Sequence, residues 1–323
     1  MYRYVINRVL LVIPTLFGAA TLVFILMRLI PGDICLVRLG SGGTSFTADA
    51  LAACHAELGI DKPLLLQYFD FIWGLLHFDF GISMWSGKPV ISEIAARFPV
   101  SLEIALLATI LAVTLAIPLG TISALKQNSF IDLVVRTFSI AGLATPSFWI
   151  GIMSILIVLD LTQMISGHPW MPPIDYVPIW KDPLRNLSIV MLPALTIGYR
   201  YSAVSMRMTR SAMLEVMRED YMRTARAKGL LNRIIINRHA LKNAMLPVIT
   251  VVGIEFAFLI GGLVVTEQVF NINGIGRLMV LSVQNQDYTL TQGLVILTVT
   301  IAVLSNLVVD LVYAWLDPRI RLA

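Results

Sequence analysis

Few residues in this 323-residue chain combine the types and spacing that covalent chemistry requires. Its four histidines, His55, His77, His168 and His239, stand apart from one another, and no His-Glu-x-x-His, Cys-x-x-Cys or Gly-x-Ser-x-Gly pattern occurs. Neither a zinc site nor a nucleophile with its base is offered, so catalytic and metal-binding residues are expected to be absent. A phosphate loop would read Gly-x-x-x-x-Gly-Lys-Ser/Thr, but Gly87-Lys88 is followed by proline. The chain is therefore not expected to hydrolyse ATP by the P-loop route. The two cysteines, Cys35 and Cys54, fall in one polar stretch. A bridge between them would close a loop of about 20 residues and contribute about 3 kcal/mol if that stretch meets an oxidising compartment; two free thiols are the alternative.

One ionisable residue stands out. Glu255 lies inside a long apolar run, where a charge is costly and usually functional. On a helix it shares a face with Phe258, Leu259 and Gly262, which we read as lining a water-filled translocation path. A hydrogen bond to a neighbouring helix explains Glu255 equally well. On the other side of the helix Gly253, Ala257 and Gly261 recur every fourth residue, a small-residue ridge that lets another helix approach closely.

The elements that position these residues follow from hydropathy. The chain is 57% hydrophobic and 14% charged, with mean hydropathy +0.81. Soluble domains average about a quarter charged residues, so a bilayer must supply part of the solvent. Six continuous apolar segments predict an all-α integral membrane protein, at about 9–30, 99–125, 137–160, 187–207, 245–269 and 289–315. The first, with Arg3 and Arg8 ahead of it and no small-residue cleavage site, reads as a retained anchor. Pro14 and Pro193 are placed in first turns, and Pro118 and Pro146 inside spans. Nine Lys and Arg residues fall in 207–242, and others flank the termini, which predicts both termini inside. The net charge of +4 is thus a signature of membrane orientation, and no nucleic-acid partner is expected.

The organisation expected is an anchor helix and external segment over 1–98, a transmembrane core over 99–315 and an inside tail over 316–323. Within the external part, residues 64–78 read as a helix on the membrane surface or within the external domain. Five prolines in 161–186 predict an extended loop. Asp310, near the inner end of the last span, is expected to pair with Arg207 or Arg210. Between the fourth and fifth spans, 212–229 reads as one helix. Acids Glu215, Glu219 and Asp220 come early and Arg223, Arg226 and Lys228 late, as the helix dipole favours, and Gly229 supplies the stop. Met213, Met217 and Tyr221 recur at i+4 as one apolar stripe, suited to a groove of another protein. A solvated loop that only holds topology is the alternative.

The string Arg223-Thr224-Ala225-Arg226-Ala227-Lys228-Gly229, followed by Arg238-His239-Ala240-Leu241, resembles the cytoplasmic coupling loop of ABC importer permeases. The variant is that of the dipeptide, oligopeptide and nickel branch, the binding-protein-dependent inner-membrane components. The general Glu-Ala-Ala triplet is replaced here by Arg223, Thr224 and Ala225, so a salt-bridging role for its Glu is not carried over. The resemblance spans almost the whole chain, through Pro31-Gly32-Asp33, Ser101-Leu102-Glu103, Ile117-Pro118-Leu119-Gly120, Pro146-Ser147-Phe148-Trp149, Glu267, Gly274-Ile275-Gly276-Arg277, Asp287-Tyr288 and Asp317-Pro318-Arg319.

The resemblance implies a type I importer permease fold with six spans in a bacterial inner membrane. It also implies a second homologous permease subunit, two cytoplasmic ABC ATPases carrying ATP and magnesium, and a periplasmic substrate-binding protein. No cofactor is expected on this chain. The ATPase-coupling residues would be Met217, Tyr221, Arg223, Thr224, Ala225, Lys228, Gly229, His239 and Leu241. The solute would be a dipeptide, an oligopeptide, glutathione or a nickel complex, moved by alternating access. A stand-alone secondary transporter would call for several intramembrane ionisable residues and inverted repeats. A membrane-embedded enzyme would call for a catalytic constellation that the chain lacks.

Overall fold

The computed structural model describes residues 2–29, 33–40 and 47–316. Among these the regular elements are all helices, save one isolated bridge between Ile82 and Pro89. Six helical stretches are long and apolar enough to cross a membrane. They lie in α1 (Tyr2–Leu29), α5 (Val90–Leu125), α7 (Ser147–Ser166), α8 (Pro183–Val216), a stretch running into α11 (Leu241–Gly262), and α14 (Tyr288–Leu316). The smaller elements are α2 (Ile34–Gly40), α3 (Ala48–Leu58), α4 (Leu64–Leu76), α6 (Phe130–Ala144), α9 (Asp220–Ala227), α10 (Asn232–Ile234), α12 (Val264–Val269) and α13 (Ile275–Gln284).

Several boundaries differ from expectation. The third span, expected over 137–160, is two helices. Thr145 is extended (φ −90°, ψ 127°), as the ring of a following proline demands, and Pro146 then begins α7. The α6 helix starts at Phe130 because Ser129 caps it, its Oγ accepting the Asp132 N–H at 3.3 Å. Helix α7 runs on to Ser166, so the proline-rich loop is confined to 167–182. Pro14 and Pro193 lie inside α1 and α8 rather than in first turns.

At the centre α5 and α8 pack along their length. Ala108, Ala112, Ala116, Gly120 and Ala124 recur every fourth residue on α5, all buried. On α8 Ala194, Gly198, Ser202 and Met206 recur at the same spacing, also buried. A Cβ on Gly198 would stand 3.0 Å from the Ala108 carbonyl oxygen, and one on Gly120 2.7 Å from that of Met206. Small side chains here set the helix separation, as in membranes where apolar burial alone drives no association.

The outer piece is stapled to itself and to the core. Cys35 and Cys54 form a disulfide that ties α2 to α3. Beside it His55 Nε2 lies 2.8 Å from Asp33 Oδ2. Asp33, Cys35 and His55 converge, but the Cys35 sulfur is committed to the bridge. Helix α4 carries Leu65, Phe69 and Trp73, all more than 60% exposed, as an apolar surface helix does, while Tyr68 and Phe71 turn inward onto Phe24. Buried Asp287 fixes the loop before α5: it accepts hydrogen bonds from Ser83 Oγ and the Met84 and Trp85 N–H groups, and caps α14 through the Leu290 N–H. Buried Glu267 does the same for α13, accepting from Ser101 Oγ at 2.7 Å and the Arg277 N–H at 2.8 Å. A side chain on Gly274 would collide with that carboxylate, so glycine is required there.

Candidate functional site

The segment between α8 and α11 is built differently from the single helix expected over 212–229. Residues from Ala212 to Val216 are the end of α8, Met217 closes it, and the chain turns before restarting as α9 at Asp220. The eight-residue α9 is too short to hold alone in water, so packing must stabilise it. Met222, fully buried, and Ala225, 8% exposed, press into a cluster with Ala212 and Met213 of α8 and Ala124 of α5. Ile235, Ala240 and Ala244 complete that cluster, with Met217 and Leu241 packed at its edge. Burying Met222 contributes on the order of 1.5–3 kcal/mol. The expected stripe of Met213, Met217 and Tyr221 is therefore not one surface. Met213 is buried, Met217 half-buried, and Tyr221 41% exposed.

The C-terminus of α9 is closed by a Schellman motif. The Leu230 N–H donates to the Ala225 carbonyl at 3.3 Å and the Gly229 N–H to that of Arg226 at 2.9 Å, with Gly229 at φ +74°. The Tyr221 hydroxyl accepts from Asn243 Nδ2 at 2.8 Å, a link from α9 to α11. Outward-facing residues are Tyr221, Arg223, Thr224, Arg226, Lys228 and Gly229. Arg223 reaches Asp220 at 3.4 Å, but both are more than 75% exposed, so that ion pair contributes little. Beyond Gly229 the chain forms α10 and then a six-residue π-helical turn, Ile235–Ala240, that runs without a break into α11. Half-buried His239 sits in that π turn. Wide turns of this kind are uncommon and concentrate at functional sites.

A clasp not foreseen from the sequence holds the inner end of α8. Asp132, 1% exposed, takes both Arg210 Nε at 2.8 Å and Nη2 at 2.9 Å. It also accepts from Ser123 Oγ at 2.5 Å and the Asn128 N–H at 3.0 Å. The Arg210 hydrogen bond, against the opposing effect of burial, holds the Asp132 carboxyl far below the usual carboxylate range. Arg210 is thus not the partner of Asp310, and Asp310 instead meets Arg8 of α1 at 3.0 Å. The readable signal was Ser129-Phe-Ile-Asp132, the Ser-x-x-acid spacing of a helix start.

Along α11 the residues separate by side. Glu255 is half-buried: its Oε2 accepts from Ser205 Oγ of α8 at 2.9 Å, and its Oε1 has no hydrogen-bond partner among the described residues. Phe258 is 69% exposed, whereas Leu259 is buried in the α5–α8 core and lines no open path. Gly262 ends the helix. The Gly253–Ala257–Gly261 side meets α14, where a Cβ on Gly253 would collide with Val309 and one on Gly261 would lie 3.9 Å from Thr298.

Comparison with known proteins gives this arrangement a class. Residues 116–322 match the family described as binding-protein-dependent transport system inner membrane component, and residues 1–105 match that family's N-terminal domain. The chain belongs to this family: it is a permease, a multi-pass inner-membrane component of a transport system, with the all-helical permease fold. Among its relatives is the dipeptide transport system permease protein DppB of Escherichia coli K12, 40% identical over 342 residues and covering 99% of each chain. Another is the glutathione transport system permease protein GsiC of Salmonella choleraesuis, 39% identical over 321 residues with 99% of each chain covered.

Proposed function

We propose that the chain is one permease subunit of an ATP-driven importer of peptide-like solutes. It works beside a second homologous permease, two cytoplasmic ABC ATPases and a periplasmic substrate-binding protein. ATP and magnesium belong to the ATPases, and this chain carries no cofactor. Both termini and α9 face the cytoplasm, where the basic segment 207–242 favours them. The names of the relatives support a peptide or glutathione solute.

The observation that carries this reading is the two-sidedness of α9. Its Met222–Ala225 side is locked onto α5, α8 and α11, while Tyr221, Arg223, Thr224, Arg226 and Lys228 are exposed. A short helix fixed to its own domain on one side and open on the other suits transmission of a push from a docked ATPase. Closure of the ATPases on ATP would move α9, and with it α8 and α11, as a body, the hinge-type motion of alternating access. Glu255, with one carboxylate oxygen anchored to Ser205, is the group we assign to the path, where it would meet the ammonium of a peptide.

Reconstitution tests this. The chain with its co-encoded permease and ATPases in proteoliposomes should accumulate dipeptide only with ATP and binding protein. Uphill uptake by this chain alone, without nucleotide, would refute the reading in favour of a secondary transporter. Glu255→Gln, which keeps an acceptor for Ser205, should lower uptake of peptides with a free N-terminus by about tenfold and spare N-acetylated ones. Equal loss for both would remove Glu255 from solute recognition.

A further inference from the structure

A cavity of about 250 Å³ lies at the outer end, between the last turn of α1, the α3–α4 turn, α4 and the first turns of α14. Arg28 stands in its wall with the guanidinium carbon 5.2 Å from the Phe24 ring centroid and 5.8 Å from that of Tyr288. Its Nη2 donates to Gln67 Oε1. Gln67 is fixed in turn, its Nε2 donating to the Ile60 and Lys62 carbonyls at 2.9 and 2.7 Å. The guanidinium is thus held in one place by ring contacts and by an amide whose own orientation is set.

Two donors at this cavity are nonetheless unused. Arg28 Nε is buried without a hydrogen-bond partner among the described residues, and so is Nε2 of Gln292, a residue only 6% exposed. The acids that line the cavity have other partners: Asp70 pairs with Lys62 at 2.9 Å, and Asp79 Oδ1 accepts the Gly81 N–H at 2.9 Å. A buried donor without an acceptor is costly, and more so when it is charged. A single water relieves one donor but not the guanidinium charge, whereas an oxyanion relieves both.

Size and position narrow the ligand. The volume falls below the range of drug-sized sites and suits a phosphate group with a short tail. Arg28 closes a membrane span on which Leu22, Ile25 and Leu29 are each more than 50% exposed, so acyl chains lie alongside. We propose that this cavity binds a phosphate oxyanion on Arg28 and Gln292, carried by a phospholipid headgroup or free in solution.

Native mass spectrometry of the assembled, delipidated importer tests it, with inorganic phosphate, short-chain phosphatidylethanolamine and short-chain diacylglycerol added separately. Wild type should bind at least one of the two phosphate-bearing probes, and Arg28→Gln and Gln292→Leu should each weaken that binding about tenfold. Binding of the lipid alone assigns the headgroup, and binding of inorganic phosphate assigns the free anion; either supports the site. Failure of both phosphate-bearing probes, unchanged binding in Gln292→Leu, or diacylglycerol binding as tightly as phosphatidylethanolamine when inorganic phosphate does not bind would overturn it. Should Arg28→Gln fail to assemble, Gln292→Leu alone decides, because it removes the donor while keeping the side-chain bulk.

Discussion

Gly229 offers a sharp test of whether α9 must stay folded to do work. An added Cβ would meet nothing within 4 Å, so bulk is tolerated there, but φ is +74°. The left-handed region costs an ordinary L-residue roughly 1–2 kcal/mol, a β-branched one the most, while asparagine enters it readily. Gly229→Val therefore destabilises the Schellman closure by about that amount, and Gly229→Asn by little. Since α9 has only eight residues and depends on its docked face, the lost closure falls directly on its folded population. A change of 1–2 kcal/mol corresponds to roughly five- to thirtyfold in the ratio of folded to unfolded α9. Uptake by proteoliposomes should drop by up to that factor in Gly229→Val and stay near wild type in Gly229→Asn, with equal amounts of both in the membrane. If Val and Asn variants transport alike, backbone conformation at this residue is irrelevant and the lever reasoning fails.

Ala225→Arg places a charge in the pocket that Ala225 fills beside Met222, and should abolish uptake while membrane insertion persists; wild-type transport would show that the inner face of α9 need not dock. Asp132→Asn leaves Arg210 short of its counter-charge and should cost about 3–5 kcal/mol, read as a lower thermal midpoint. Because the folded carboxyl of Asp132 titrates below its unfolded value, its contribution is present above about pH 4 and fades as pH falls further, so the gap between wild type and Asp132→Asn should narrow only below that pH. A gap constant from pH 7 to 2.5 would contradict the pairing. Cys54→Ser opens the Cys35–Cys54 loop, with its sequence separation of 19, and should lower stability by about 3 kcal/mol; dithiothreitol should then have no further effect on the melting curve.

Six apolar runs were legible because each exceeds what a soluble core demands, and the glycine stop at 229 because few other residues take a positive φ readily. The break at Thr145–Pro146 was obscured by the apolar residues on both sides, which let periodicity run through a proline that in fact separates two helices. The turn from Met217 to Glu219 holds no glycine or proline, so a run of helix formers concealed where α8 ends and α9 begins. Which side of α9 faces inward depended on Ala124, Ile235 and Ala244, residues brought from three other elements. Arg210 and Asp132 lie 78 positions apart, and only the register of α6 on α8 joins them. The ladder of Ala108, Ala112, Ala116 and Gly120 went unread in the sequence, because only the close approach of α8 gives it meaning.

The π-helical turn at Ile235–Ala240 has one lasting consequence. It inserts close to a residue's worth of phase between α9 and everything downstream. Deleting one residue there would restore ordinary pitch and leave α11 near its present azimuth, whereas ordinary pitch with all six residues kept would swing α11 by about 100° about its axis. Glu255 would rotate off Ser205, and Gly253 off Val309, without any change in the amino acids at either contact. The azimuth of the fifth span is dialled in at its inner root, beside the helix on which the push is expected to land.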